Sequence, residues 1–197
     1  MDNTFKNSRS KTRKLVIIGM LGGISIFLGL TPLGIIHLPV MNLTIMHIPV
    51  IIGAILEGPL VGGSIGLIFG LFSMYQNITA PNLTSFIFMN PIIALLPRIL
   101  IGIVTYYVYA FIKNKFKNKS ISIGVASIVG TLTNTIGVLG LTYLLYLDRY
   151  AAAKQISTDM VAGALLTVVG TNGIAEAIAS AVIAIPVVTA LSKIRKF

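Results

Sequence analysis

Residues 91–119 read PIIALLPRILIGIVTYYVYAFIKNKFKNK. The stretch 91–112 carries one charge, Arg98, and the seven residues after it carry Lys113, Lys115, Lys117 and Lys119. As an α-helix, 91–112 would be about 33 Å long, enough to cross a hydrocarbon layer of ~30 Å. Asn90-Pro91 reads as an N-cap followed by a first-turn proline. Pro97 predicts a kink near the far end. The lysine-rich loop predicts the side on which the span ends, because basic residues collect on the cytoplasmic side of a membrane protein.

The rest of the chain repeats this punctuation. Twelve of the fifteen Lys and Arg fall in three clusters: residues 6–14, residues 113–119, and Lys193, Arg195 and Lys196. If all three share one side, an even number of crossings separates them and both termini are cytoplasmic. Span one is Leu15–Leu30. Thr31–Thr44, broken by Pro32, Gly34 and Pro39, is a long first outer loop expected to pack back on the bundle. Ile45–Leu56 is a short second span that ends at the turn Glu57-Gly58-Pro59. Span three is Leu60–Tyr75, followed by an outer loop Gln76–Ser85. Span four is Pro91–Ile112, span five Ile121–Leu147, and span six Met160–Leu191, with Asp148–Asp159 as the last outer loop. The expected fold is an all-α membrane protein: a compact bundle of six transmembrane helices forming one domain over 1–197, with 1–14 as a basic cytoplasmic segment.

Composition agrees. The chain is 55% hydrophobic and 10% charged, with mean hydropathy +0.93, against roughly 25% charge in a soluble domain. The net charge of +10 sits at membrane edges with no nucleic-acid readout module beside it, so it reads as topology and attraction to the lipid bilayer. There is no cysteine, which removes disulfides and thiolate chemistry. No phosphate loop and no zinc signature is present. His37 and His47 have no Cys, Asp or Glu near them in sequence, so no metal and no cofactor is expected; both read as lid or core residues.

Four polar residues lie deep in spans four to six: Arg98, Asn134, Asn172 and Glu176. Counted from the basic clusters, Arg98, Asn134 and Glu176 lie at one depth, about 22–26 Å above the basic belt. Asn172 and Glu176, spaced i and i+4, share a helix face. A buried charge is costly unless paired, so an Arg98–Glu176 pair is expected. Two readings stay open: the pair locks helices together, or the same groups form a ligand site in which Arg98 grips a carboxylate. Gly19 and Gly23, a small-x-x-x-small pair, serve either a partner helix or internal packing.

The stretches Thr44-Ile-Met-His-Ile-Pro-Val-Ile-Ile-Gly53, Gly58-Pro-Leu-Val-Gly-Gly63, Pro97-Arg-Ile-Leu-Ile-Gly102 and Thr171-Asn-Gly-Ile-Ala-Glu176 resemble the S components of energy-coupling factor (ECF) transporters. Six short helices and a proline-rich first outer loop agree with that family, and the resemblance is nearest its pantothenate-type members. It implies a non-enzymatic subunit of the bacterial cell membrane that captures a vitamin from outside. It implies docking on a shared transmembrane coupling subunit driven by two cytoplasmic ATPase subunits, then delivery inward. The family docks through an Ala-x-x-x-Ala motif, whose positions here are Gly19 and Gly23. It binds its ligand near the outer face, between the first loop and helices four to six. That adds Asn42, His47 and Asn90 to the substrate-binding candidates. Other substrates left open are pyridoxine, a hydroxymethylpyrimidine and a queuosine precursor, and a membrane-integral enzyme or scaffold subunit is the alternative class.

Overall fold

The computed structural model describes residues 2–37, 42–116 and 118–194, with side chains placed for 11–34, 44–116 and 118–194. The chain runs through helix α1 (Asp2–Leu30), a 3₁₀ turn (Pro32–Gly34) and a small hairpin of strands β1 (Ile35–His37) and β2 (Asn42–Thr44). Then come α2 (Ile48–Glu57), α3 (Pro59–Thr79), a single turn α4 (Ser85–Phe88), α5 (Pro91–Lys115) and α6 (Lys119–Lys154). The last run is α7 (Thr158–Val168), a π-helical turn (Val169–Gly173) and α8 (Ile174–Ile194).

Five stretches are long and apolar enough to cross a membrane: Lys11–Leu30, α3, α5, α6 and the continuous run Thr158–Ile194. The sixth, α2, has ten residues, about 15 Å of helix, and is the short span the sequence predicts. Its position explains its composition. Val50, Ile51 and Ala54 are fully buried and Ile48, Ile52 and Ile55 nearly so; a helix apolar on every face belongs in the middle of a bundle. The described residues of the three basic clusters lie where α1 begins and where α5 and α8 end, here the basic end. The far end holds the hairpin, α4 and the α6–α7 turn.

Boundaries follow local chemistry. Pro59 opens α3 after Gly58, whose φ of 102° suits glycine alone. Asn90 caps α5 as expected, its side chain accepting from the Ile92 amide at 3.0 Å. The last outer loop is shorter than the expected Asp148–Asp159. Helix α6 bends at Tyr146 (φ −137°, ψ 29°) but continues to Lys154 before turning at Gln155. Charges at 148 and 149 end an apolar run without ending a helix, and the three alanines 151–153 are the strongest helix formers. The first outer loop is likewise not irregular throughout: β1 and β2 pair antiparallel, Ile35 opposite Thr44 and His37 opposite Asn42.

The tightest packing joins α3 to α5. A Cβ at Gly66 would run into the Arg98 carbonyl, one at Gly70 would lie 2.7 Å from the Ala94 carbonyl, and Gly62 and Gly102 lie backbone to backbone. Gly62, Gly66 and Gly70 form one stripe at i, i+4, i+8, the pattern that lets membrane helices approach closely. Gly63 stands off this stripe, where a Cβ would make ordinary contacts of 3.7 and 3.9 Å. Gly66→Ala should therefore destabilise the detergent-solubilised protein by about 1–3 kcal/mol through overpacking, while Gly63→Ala should leave its thermal unfolding unchanged or slightly raised. Equal behaviour of the two variants would contradict this packing.

Candidate functional site

Arg98 sits on α5, Asn134 on α6, Asn172 on the π turn and Glu176 on α8, and their partners differ from the expected ones. Arg98 is buried, with 5% exposure. Its Nη1 donates to the Ile93 carbonyl at 2.8 Å. This is the carbonyl that Pro97, four residues on and without an N–H, leaves unpaired. The guanidinium lies over the rings of Phe69 at 5.6 Å and Phe88 at 5.0 Å, which offers partial compensation for a desolvated cation. Its Nε is buried without a hydrogen-bond partner.

The expected Arg98–Glu176 pair is not formed. Among the described residues the ion pair is Arg13–Glu57, 2.7 Å, at the basic end. Glu176, 8% exposed, is used elsewhere: the Thr44 amide donates to its Oε1 at 2.9 Å and the Thr44 hydroxyl at 2.6 Å. The second distance is that of a charge-assisted O–H···O⁻ bond. Residue counts estimate the depth of a group along its helix but not its azimuth around the bundle. Glu176 fastens the end of β2 to α8. The widened π turn just before it also departs from the 3.6-residue register on which the Asn172–Glu176 face rested. Asn172 is half-buried and its Oδ1 accepts from the Thr171 hydroxyl at 3.2 Å.

Asn134, like Arg98, has an unmet need. Its Oδ1 is buried with no partner. It shares a face of α6 with Gly130 and Gly137, at i−4 and i+3. A Cβ at Gly130 would meet the Thr105 hydroxyl, and one at Gly137 would lie 3.1 Å from Pro97 Cβ. Asn134 therefore faces α5 between Thr105 and Pro97, and Thr105 Oγ1 is itself buried and unpaired. Buried orphaned groups are rare in folded proteins and call for an explanation.

The remaining candidates hold structural positions. His47 is fully buried before α2, its Nε2 3.0 Å from Thr131 Oγ1, and the Thr131 hydroxyl donates to Ser180 Oγ at 2.9 Å. This chain ties α2, α6 and α8 together and had no periodic signal in the sequence. Asn90 both caps α5 and donates through Nδ2 to the Tyr146 hydroxyl at 3.2 Å, beside the α6 bend. Asn42 is in β2; its side chain lies outside the described residues. Gly19 and Gly23 face away from the bundle, with no atom within 4 Å of where a Cβ would stand. Gly22 and Gly29 of the same helix face inward, against Ile68 and Phe72. Internal packing is thus served by the second pair and not the first. Among the described residues no group of three His, Asp or Glu is arranged to hold a metal ion.

The bundle thus carries a buried cation, an orphaned buried amide and an outward glycine pair on apolar helices long enough to cross a membrane. The chain belongs to the family described as ECF transporter, substrate-specific component, whose match covers residues 13–188. It is an integral, multi-pass membrane protein and a transporter subunit. Among curated proteins it is 32% identical to the pantothenic acid transporter PanT of Lactococcus lactis subsp. cremoris, over 68% of this chain and 69% of that one. It is 30% identical to the pantothenate transporter PanT of Leuconostoc mesenteroides subsp. mesenteroides, over 59% of each.

The Arg98–Ile93 bond yields a direct test. Arg98→Met strands a buried carbonyl and should cost about 1–3 kcal/mol in thermal unfolding. Adding Pro97→Ala restores an N–H to that carbonyl, so the double variant should recover most of the loss. An Arg98→Met protein that unfolds like the parent would show that the carbonyl is not satisfied through Arg98.

Proposed function

We propose that this chain is the pantothenate-binding S component of an ECF-type importer, with both termini in the cytoplasm. In this reading it takes pantothenate from outside near the far end of the bundle. It then delivers the vitamin inward when docked on a transmembrane coupling subunit energised by two ATPase subunits. The observation that carries the proposal is Arg98: a buried guanidinium with no carboxylate partner among the described residues, in a chain similar to transporters named for a carboxylate vitamin. A buried cation without a counter-ion is costly, and a bound carboxylate would supply one with bidentate geometry.

Asn134 Oδ1 suits the hydroxyl and amide donors of the same molecule, which would answer its missing bond. Glu176 then acts indirectly, by holding β2, and Asn172, Asn42, His47 and Asn90 shape the surroundings. Gly19 and Gly23 form the docking face, flanked by Met20, Ile24 and Phe27, which are 63%, 45% and 56% exposed. Two outward glycines one turn apart let a partner helix come close.

Native mass spectrometry of the protein purified from its membrane should show one retained molecule with the mass of pantothenate. A different retained vitamin would overturn the substrate assignment. The Pro97→Ala, Arg98→Met double variant should fold but lose about thirty-fold to several-thousand-fold in pantothenate affinity, the range for one buried charged hydrogen bond. Parental affinity in that variant would overturn the carboxylate role of Arg98. Gly19→Leu or Gly23→Leu should abolish uptake in cells while calorimetric binding to the isolated subunit stays within about twofold, since the pair touches nothing inside the bundle; for scale, tenfold corresponds to ~1.4 kcal/mol. Loss of binding along with uptake would contradict the docking assignment.

A further inference from the structure

A cavity that Arg98 and Asn134 do not line borders the glycine face of α1. At the basic end, α1, α2 and α8 enclose a cleft of about 440 Å³, within the ~300–1,000 Å³ range of ligand pockets. Its walls are apolar: Ile17, Met20, Leu21 and Ile24 from α1, and Leu191 and Ile194 from α8. Met20, Ile24, Leu191 and Ile194 are 41–69% exposed, so the cleft opens sideways, toward hydrocarbon. Its polar lining is the pair Arg13 and Glu57. Arg13 Nη2 donates to Glu57 Oε1 at 2.7 Å, and the two side chains differ sharply in exposure, 51% for Arg13 and 6% for Glu57. The carboxylate is therefore tucked beneath the guanidinium and orients it. Arginine has five donors in a fixed fork, and half of this side chain still faces outward at the mouth. Lys14 and Lys193, next in sequence to Arg13 and Ile194, are exposed on the same helix turns.

We infer that this cleft binds one anionic phospholipid, its acyl chain against the α1 and α8 walls and its phosphate on Arg13. Basic pockets between helices on the cytoplasmic side favour anionic headgroups, and the chain's charge concentrates at this end. The groove between α6 and α7 supplies the contrast. It is of similar size, about 450 Å³, and is lined by Ile136, Leu139, Tyr143 and Leu166 among others, with no charged residue. That groove can accept any acyl chain but has nothing with which to select a headgroup. Met20 and Ile24 directly follow Gly19 and Gly23, so the lipid would lie along the edge of the outward glycine face, and a partner helix is the competing occupant.

The full chain is reconstituted in vesicles of equal phosphatidylglycerol and phosphatidylcholine, extracted in mild detergent, and weighed by native mass spectrometry. One phosphatidylglycerol should remain bound, enriched about fivefold over phosphatidylcholine, the preference expected of one basic contact at a membrane surface. Arg13→Gln should remove the preference. Ile24→Trp should expel the lipid by filling the cleft while leaving every charge in place, which keeps the test decisive if Arg13→Gln folds poorly. Leu166→Trp, in the uncharged groove, should change neither. Equal retention of both lipids by the parent would overturn the inference. So would a preference that survives Arg13→Gln or Ile24→Trp, or one that is lost in Leu166→Trp.

Discussion

A backbone carbonyl inside hydrocarbon must be paired by the protein itself, and Pro97 leaves the Ile93 carbonyl without its helical donor. The residue after the proline repairs the break: Arg98 reaches back to that carbonyl at 2.8 Å. Much of the bundle is organised around this point. Gly66 of α3 must lack a side chain because the Arg98 carbonyl stands in its place, and Gly137 of α6 packs on the proline ring. Phe69 and Phe88 cover the guanidinium. The interruption of α5 thus comes with a cation in the interior that bonds the carbonyl the proline leaves free.

The same economy governs the far end. The first outer loop is not free to leave the bundle, because Thr44 gives both its amide and its hydroxyl to Glu176. Two hydrogen bonds to one carboxylate oxygen are a strong local tie, and the tie joins residues 132 positions apart. Below it, His47, Thr131 and Ser180 link α2, α6 and α8 by a buried polar chain. Beside these satisfied groups, Asn134 Oδ1, Thr105 Oγ1 and Arg98 Nε are buried without a hydrogen-bond partner. A transport subunit needs a rigid frame with a few unmet polar groups in it, since those are the groups a ligand can repay.

How far the sequence reveals this depends on the kind of signal. The spans are legible because twelve basic residues punctuate long apolar runs, and the N-cap at Asn90 is legible because Asn-Pro has one usual place in a helix. The last outer loop is shorter than the apolar pattern implies, because Asp148 and Arg149 end the apolar run while the helix continues through the alanines that follow. The π turn at Val169–Gly173 leaves no compositional trace. The Arg98–Glu176 pairing failed for a geometric reason: residue counts give depth, while the direction of a side chain around its helix depends on packing. One local clue did exist. Arginine directly after proline stands four residues beyond a neighbour of the freed carbonyl, within reach of it, and needs no distant acid to be bonded. Thr44, Phe69 and Phe88 were invisible as partners because each meets its polar neighbour only through tertiary structure.

The central claim is that a buried cation beside a proline is shared between the backbone and a bound carboxylate. The most direct measurement is a structure of the chain with pantothenate bound, at a resolution that places the carboxylate. Both carboxylate oxygens should lie within hydrogen-bond distance of the Arg98 guanidinium, with Asn134 Oδ1 accepting from a ligand hydroxyl or amide. A ligand seated elsewhere, with Arg98 still bonded to the Ile93 carbonyl alone, would contradict it.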